Sequence, residues 1–317
     1  MAVSLEFEKP LLELEEKIGQ LSGLQRNNDA NLNLGISQLQ EMLELLKKQF
    51  FCHLTPMERV ALARHPLRPY PQDYVGRVFK QFLELHGDRR FSDDHAIFGG
   101  FAFLGKRRVM LIATRKGRNL KENMDANFGC AHPEGYRKAM WLMNLADKAR
   151  CPVVTLIDTA GAYPGIAAEE RHIGEAIAVN LRDMFRLSVP VVCVVTGEGG
   201  SGGALGIGIG NRILILENAY FSVITPEGCA AILWRSAEAV PKAAEALKVT
   251  GSDLLELGVV DEVIPEPLGG AHRDYDQTAL NLAAVLERHL AELCKLSPKR
   301  LREDRYQKFR TIGNFVE

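Results

Sequence analysis

A glycine-rich segment, GEGGSGGALGIGIG at residues 197–210, is the part of this sequence best suited to do chemistry through its backbone. Glycine has no Cβ, so successive N–H groups can turn toward one point and a ligand can approach them closely. A strand-like run, PVVCVVT, precedes the segment, and we expect a short helix inside it. Backbone donors placed between a strand and a helix N-terminus would stabilise a developing oxyanion or enolate.

The same segment allows other interpretations. Gly197, Gly199 and Gly202 match the G-x-G-x-x-G pattern of dinucleotide sites. Only ALGIGIG separates them from the next strand-like run, whereas a crossover connection in such a fold needs at least about 10–12 residues. We therefore do not expect a dinucleotide site, and no phosphate-binding G-x-x-x-x-G-K-[ST] pattern is present. Glycines that only let a short helix pack on the sheet remain an open alternative.

A serine hydrolase is the alternative enzyme class. Residues 199–203, GGSGG, match the G-x-S-x-G nucleophile elbow, with Ser201 as the nucleophile. Asp261 and His272 follow in the chain order that such a triad uses. A serine hydroxyl that only satisfies the turn backbone is equally natural here, so the sequence leaves this alternative open.

Strands and helices alternate around the glycine segment, which predicts an α/β fold with a sheet covered on both faces. Two apolar runs within 96–114 flank Gly105-Lys106, which favours a type II′ hairpin turn. We expect one continuous helix over residues 169–187, largely helical structure over 225–257, and a final helix near 276–295.

An N-terminal helical extension precedes this body. Residues 8–24 and 38–51 have helical periodicity and predict an antiparallel pair, with Ser37 and Gln40 as the capping box of the second helix. Thr55-Pro56 begins another helix, which Pro66 ends. We divide the chain into an extension (1–52), a body (53–296) and a basic C-terminal tail (297–317).

Composition excludes several classes of function. Lys plus Arg (39) nearly cancel Asp plus Glu (40), so charge predicts neither nucleic-acid nor membrane-surface binding. The six cysteines form no C-x-x-C pair and the histidines lack ligand spacing, so we expect no metal site and no disulfides. The N-terminus has no basic region or cleavage site of a signal peptide, which predicts a cytoplasmic protein.

Several long motifs closely resemble the alpha subunits of bacterial acetyl-CoA carboxylase carboxyltransferases, in the same order over nearly the whole chain. They are ARHPLRPY (63–70), NFG…PEGYRKA (127–139), IDTAGAYPG with AEER (157–171), GEGGSGGALGIG (197–208), TPEGCAAILW (225–234) and IPEPLGGAH (264–272). The resemblance implies a crotonase-like (ClpP/crotonase) spiral of ββα units. It also implies an α₂β₂ assembly with a beta subunit that carries a zinc ribbon, working with biotin carboxylase, which uses ATP, and a biotin carboxyl carrier protein.

By the same resemblance, the reaction transfers a carboxyl group from carboxybiotin to acetyl-CoA. Malonyl-CoA is formed, the first committed step of fatty acid synthesis. The family's Gly-Gly pair corresponds to Gly202 and Gly203, whose N–H groups are expected to face the ureido oxygen of biotin, while the beta subunit holds the acetyl-CoA enolate.

The resemblance also suggests further contacts to the substrates. We expect residues of both glycine turns to line the biotin cleft: Gly161, Ala162, Tyr163, Gly199 and Gly200. Basic residues on the loop after the hairpin are candidates for the phosphates of coenzyme A, with a solvated surface loop as the alternative. They are Arg115, Lys116, Arg118 and Lys121.

Overall fold

Eight strands form a single sheet in the computed structural model, which describes residues 5–23 and 30–313, with the backbone alone at residues 23 and 30–33. The strands are β1 (Phe79–Glu84), β2 (Ile97–Leu104), β3 (Arg107–Thr114), β4 (Val153–Thr159), β5 (Val191–Gly200), β6 (Arg212–Leu216), β7 (Tyr220–Ser222) and β8 (Glu262–Ile264). Their order is β1-β2-β3-β4-β5-β6-β8, and β7 pairs with β5.

The sheet combines an antiparallel edge with a parallel centre. β1, β2 and β3 are antiparallel, and the strands from β3 to β8 pair in parallel. Gly105 has a φ of 56°, as the first central position of the predicted hairpin turn requires. Every residue of β4 and β5 is buried, so the predicted sheet with two covered faces is confirmed.

Fourteen α-helices occur in the described residues, together with short 3₁₀ turns at Glu6–Glu8, Asn127–Gly129 and Ala237–Ala239. The helices are α1 (Lys9–Gly23), α2 (Ala30–Cys52), α3 (Pro56–Ala63), α4 (Pro71–Val78), α5 (Leu120–Asp125), α6 (Pro133–Lys148), α7 (Ile166–Glu170), α8 (Ile173–Met184), α9 (Ser201–Leu205), α10 (Pro226–Leu233), α11 (Val240–Leu247), α12 (Gly251–Glu256), α13 (Tyr275–Leu293) and α14 (Pro298–Thr311). Among the described helices, none is long and apolar enough to cross a membrane.

The N-terminal pair is antiparallel as predicted, but its second helix begins earlier than expected. Lys47 pairs with Glu15 at 2.7 Å, and the described part of the link predicted between the helices is already helical from Ala30. Ser37 therefore lies inside α2, and its predicted role as a helix cap is wrong. Ile36 is buried on the same helix face as Leu43, seven residues later, so packing extends the helix past Ser37. Residues 24–29 of the predicted link lie outside the described part of the chain.

The helix predicted over residues 169–187 is divided in two. His172 takes a left-handed conformation, with a φ of 65°, between α7 and α8. The Arg171 carbonyl accepts a hydrogen bond of 2.6 Å from Arg137, so a tertiary contact supports the break. By contrast, α3 has the predicted Thr55 cap, with the reciprocal bond to Glu58, and ends at Ala63.

The region named as a basic C-terminal tail contains α14, which packs on the body. Leu301 and Arg305 of this helix are buried. The Arg305 guanidinium donates to the carbonyls of Met184, Leu187 and Val189 at 2.6–3.1 Å. It also donates to Asn211 at 2.7 Å, so the helix holds together the segments that precede β5 and β6.

A candidate active site between two glycine segments

The glycine segment is a strand and a helix joined without an intervening loop. β5 continues through Gly197 to Gly200, and α9 begins at Ser201. Pairing with β7 places Gly199 opposite Phe221, which keeps the glycines extended. The predicted short helix is confirmed, but the predicted turn at residues 197–200 is wrong, because β7 supplies strand partners that the local sequence does not reveal.

The second glycine turn, Thr159–Gly165, packs directly against this segment. An ideal Cβ on Gly203 would lie 2.4 Å from the carbonyl carbon of Gly161 and 2.7 Å from the Ala162 nitrogen. A Cβ on Gly200 would lie 2.1 Å from the Ala160 oxygen. No side chain fits at either position, so glycine allows the two backbones to touch.

Gly202 differs from its neighbours because space remains beside it. A Cβ there would meet nothing closer than Ile177, at 3.5 Å. A largely apolar cavity of about 240 Å³ lies next to it. The cavity is lined by Ser201, Gly202, Leu205, Phe221, Ser222, Val223, Leu254 and Val259. The backbone contact at Gly203 and the opening at Gly202 thus lie side by side.

Contacts of two residues, Thr159 and Tyr163, hold the second glycine turn in place. The Thr159 hydroxyl contacts the carbonyls of Gly129 at 2.6 Å and Gly161 at 2.8 Å, and it accepts the Gly161 N–H at 3.1 Å. The Tyr163 ring stacks on His132 with centroids 4.1 Å apart, and its N–H donates to Ala131 at 3.0 Å. Sequence reasoning missed Thr159, although a hydroxyl at the end of a buried strand is a usable indication.

A buried ionic cluster lies beside the glycine segment. Lys116 Nζ donates to Asp158 Oδ1 at 2.6 Å and to Glu198 Oε1 at 2.7 Å. The other Glu198 oxygen accepts from Arg64 Nε at 2.8 Å and from the Tyr220 hydroxyl at 2.7 Å. Burial alone would raise the pKa of Glu198, but these donors, Lys116 foremost, lower it to about 2. Asp158 and Glu198 were not predicted as site residues, although charged residues within buried strands indicate such clusters.

The structure places three of the four predicted basic residues in contacts within the chain, whereas Lys121 is exposed. Arg115 pairs with Glu84 at 3.1 Å and lies over the Phe98 ring. Arg118 pairs with Asp73 and lies over the Tyr70 ring, with its guanidinium carbon 4.1 Å from the centroid. Lys116 belongs to the ionic cluster, so these cations do not form a freely solvated loop. Their contact with coenzyme A stays a prediction.

The hydrolase alternative lacks its triad. The Asp261 carboxylate accepts from the Ile213 N–H at 2.6 Å and pairs with Lys308 at 2.8 Å. His272 stacks on His65 with centroids 3.9 Å apart. Within the described part of the chain, Ser201 forms no hydrogen bond to either triad candidate. Its φ of 47° reflects the sharp change from strand to helix.

One group of metal-type ligands occurs among the described residues, although no metal site was expected. Glu8, His65 and His272 place ligand-type atoms within 4.8 Å of one another. Arg273 also contacts Glu8, at 3.4 Å. Burial, followed by the neighbouring charges of His65 and Arg273, lowers the pKa of His272 to about 3. The cluster joins the N-terminal extension to the body.

Comparison with known proteins relates the whole chain to one family. Residues 4–313 match the family described as acetyl co-enzyme A carboxylase carboxyltransferase-like. The alpha subunit of the acetyl-coenzyme A carboxylase carboxyl transferase of Thermus thermophilus is 53% identical over 313 residues, which cover 99% of each chain. The same subunit of a Geobacillus species is 52% identical and covers 100% of this chain and 97% of its own length.

Solved structures share the fold at much lower identity. The transcarboxylase 12S structure with methylmalonyl-coenzyme A has a TM-score of 0.55 at 22% identity, covering 69% of this chain and 42% of its own. The beta subunit of Pseudomonas aeruginosa geranyl-CoA carboxylase has a TM-score of 0.56 at 16% identity, covering 78% and 46%. A Pseudomonas malonate decarboxylase hetero-dimer has a TM-score of 0.55 at 16% identity, covering 68% and 89%. The predicted crotonase-like fold is confirmed.

Proposed function

The chain belongs to the family of acetyl-CoA carboxylase carboxyltransferase alpha subunits, and from that premise we propose how it works. It is a carboxyltransferase subunit of fatty acid biosynthesis. We propose that it transfers the carboxyl group of carboxybiotin, presented by a biotin carboxyl carrier protein, to acetyl-CoA in the cytoplasm. Its proposed partners are a zinc-binding beta subunit in an α₂β₂ assembly and a biotin carboxylase that uses ATP.

The single observation that carries the proposal is the opening at Gly202 beside the backbone contact at Gly203. Bound biotin supplies a ureido group whose oxygen becomes negative as the carboxyl group leaves. The N–H groups of Gly202 and Gly203 lie in the first turn of α9, where backbone donors have no partner within the helix. We assign them to that oxygen, and one such donor contributes about 10²–10³ in rate in a dry site.

The surroundings of these donors fit the same assignment. The cavity beside Gly202 is apolar, which suits the bicyclic ring of biotin. Gly199 and Gly200 extend the strand that leads to the donors. Gly161 and Ala162 of the second turn lie against Gly203. We propose that these residues and Tyr163 seat the ring, while the beta subunit holds the acetyl-CoA enolate.

The test is Gly202→Val in the complex reconstituted with the beta subunit and the carboxylated carrier. We expect malonyl-CoA formation to fall on the order of 10²-fold, because the side chain blocks approach to the two donors. Gly202 is preferable to Gly203, whose substitution would push the two backbones apart. The control is Gly174→Val on the neighbouring α8, where a Cβ meets nothing within 4 Å.

Protein stability and assembly are measured alongside the rate, by thermal unfolding and co-purification. A Gly202→Val complex that assembles and melts normally but loses activity supports the proposal. Near-normal turnover by that assembled complex would contradict the proposal, because a β-branched side chain beside the donors is incompatible with ligand binding there.

A further inference from the structure

Lys116 connects the carboxyl ends of three neighbouring strands. It follows β3 by two residues, Asp158 is the penultimate residue of β4, and Glu198 lies near the end of β5. These strands are adjacent in the sheet, so their ends converge at one edge. The ammonium group bridges the two carboxylates at 2.6 and 2.7 Å.

Both carboxylates are attached to the glycine segments of the candidate site. Glu198 stands between Gly197 and Gly199, and its own N–H donates to Asp158 Oδ1 at 2.9 Å. A Cβ on Gly197 would lie 2.6 Å from the Asp158 carboxyl group, so this backbone lies directly on the carboxylate. Asp158 precedes Thr159, whose hydroxyl holds Gly161. The bridge therefore connects one glycine segment to the other.

The Lys116 side chain is also enclosed along its length. Only 13% of it is exposed, against none of the Asp158 side chain and 11% of Glu198. A Cβ on Gly129, whose φ is 79°, would lie 2.9 Å from Lys116 Cγ. Because Gly129 has no side chain, the methylene chain of Lys116 can pass next to it and reach the carboxylates. An ammonium held in this way cannot reach outward to a phosphate without leaving both partners.

We propose that Lys116 is a positioning residue: it holds the two glycine segments at the separation that lets the Gly202 and Gly203 N–H groups act together. The inference rests on the proposed function, because it concerns the geometry of the same donors. Lys116 does not touch the substrates. Its role differs from phosphate binding, which would act on acetyl-CoA affinity.

The deciding experiment compares Lys116→Met, Lys116→Arg and Lys148→Met in the reconstituted complex. In Lys116→Met we expect kcat to fall on the order of 10²-fold, as a misplacement of about 1 Å can produce, with the KM for acetyl-CoA within about twofold. Lys116→Arg keeps the charge and restores part of kcat. Lys148 is an exposed lysine at the end of α6, outside the basic loop, so its replacement by Met leaves both parameters unchanged.

The pH profile gives a readout that a merely structural role would not move. Without the ammonium, Glu198 keeps Arg64 and the Tyr220 hydroxyl as donors but faces the Asp158 carboxylate as a like charge, so the pKa of Glu198 rises. Protonation of one carboxyl group then relieves the repulsion. The ratio of Lys116→Met to wild-type kcat therefore rises as the pH is lowered.

Several outcomes would overturn the inference. An increased KM for acetyl-CoA with unchanged kcat would instead assign Lys116 to the coenzyme A phosphates. If Lys116→Met does not fold, Asp158→Asn carries the same test, because it keeps the side-chain shape and removes one charge. Hydrogen exchange at residues 159–165 and 197–203 should increase in either variant, and unchanged exchange would contradict the positioning role. Failure of the proposed function gives a different result, because the wild-type complex itself would then make no malonyl-CoA.

Discussion

At the scale of single residues, the Arg68–Glu266 pair shows how a charge is kept inside this protein. Both side chains are fully buried, and two hydrogen bonds join them. Glu266 also accepts from Asn218 and from the Ala271 N–H, while Arg68 Nε donates to the Thr196 carbonyl at 2.8 Å. Burial opposes both charges, but the partner's charge raises the pKa of Arg68 and lowers that of Glu266. The pair anchors β5 one residue before the glycine segment.

Replacement of Glu266 by Gln should leave Arg68 as an uncompensated buried cation. We expect the free energy of unfolding to fall by about 3–5 kcal/mol, the usual effect of breaking a buried pair on one side. Urea unfolding of the isolated chain measures this loss. Glu292→Gln, an exposed glutamate on α13, is the matched control and should change stability little. A loss below about 1 kcal/mol at Glu266 would mean that the pair relaxes into solvent.

At the scale of elements, the N-terminal helical pair is attached to the body by a buried contact at its start. Glu8, just before α1, is 1% exposed and contacts Arg273, which follows His272 in the loop before α13. Its carboxylate lies 3.7 Å from His272 Nε2. Burial raises the pKa of Glu8, and burial also lowers the pKa of His272 to about 3. We therefore expect the attachment of the pair to depend on pH.

His272 should make the fold sensitive to mild acid. Its pKa is about 3 when folded and 6.5 in its ordinary state. The unfolded chain therefore binds more protons between these values, and stability present above about pH 6.5 is lost as the pH falls toward 3. The raised pKa of Glu8 acts in the opposite sense. The melting temperature of wild type should thus fall more steeply from about pH 6.5 to 5 than that of His272→Asn. Equal slopes would contradict the assignment.

At the scale of the whole molecule, apolar side chains remain exposed on the segment after β7. Val223, Ile232 and Leu233 are 75%, 68% and 66% exposed. Val223 also lines the cavity beside Gly202. Exposed apolar patches at the rim of a site are typical of surfaces that another subunit covers. We expect the beta subunit to lie over this face and close the cavity.

Ile232→Glu should therefore weaken assembly without unfolding the chain, because a charge would be buried at the subunit contact. Co-purification of tagged alpha variants with the beta subunit measures the effect, and we expect the recovered beta subunit to fall at least about tenfold, an affinity loss of about 1.4 kcal/mol. Leu280→Glu, at a leucine that is 64% exposed on α13, serves as the control. Equal recovery with both variants would contradict the assignment of this face.

Local chemistry determines which parts of the fold were predictable from sequence. The Thr55 cap and the hairpin at Gly105 each depend on neighbouring residues, and both occur. The extension of β5 to Gly200 was missed because glycine disfavours strands, and pairing with β7 and with Thr159 of β4 overrides that tendency. Packing likewise overrides the local cap at Ser37.

The candidate site shows the same division. The sequence motifs identified the two glycine segments, and the structure brings them into contact at Gly203. The ion pairs of Lys116 could not be predicted, because its partners are 42 and 82 residues away along the chain. Spacing within a motif carries no information about such distant pairs. A lysine on a basic loop therefore suggested a phosphate contact, whereas the folded chain pairs it with two carboxylates.

The hydrogen bonds that Arg305 donates to three carbonyls have a consequence for folding during synthesis. The ribosome synthesises β5 and the glycine segment about a hundred residues before Arg305, which later binds the carbonyls that precede β5. The ion pair between Glu8 and Arg273 likewise forms only after residue 273 has been synthesised. A nascent chain, or one truncated before α14, thus contains every proposed catalytic residue. Its carbonyls at residues 184–189 lack the hydrogen bonds that Arg305 donates in the full chain. Translation must therefore reach Arg273 before the N-terminal segment is held, and the middle of α14 before the segment that precedes β5 is held.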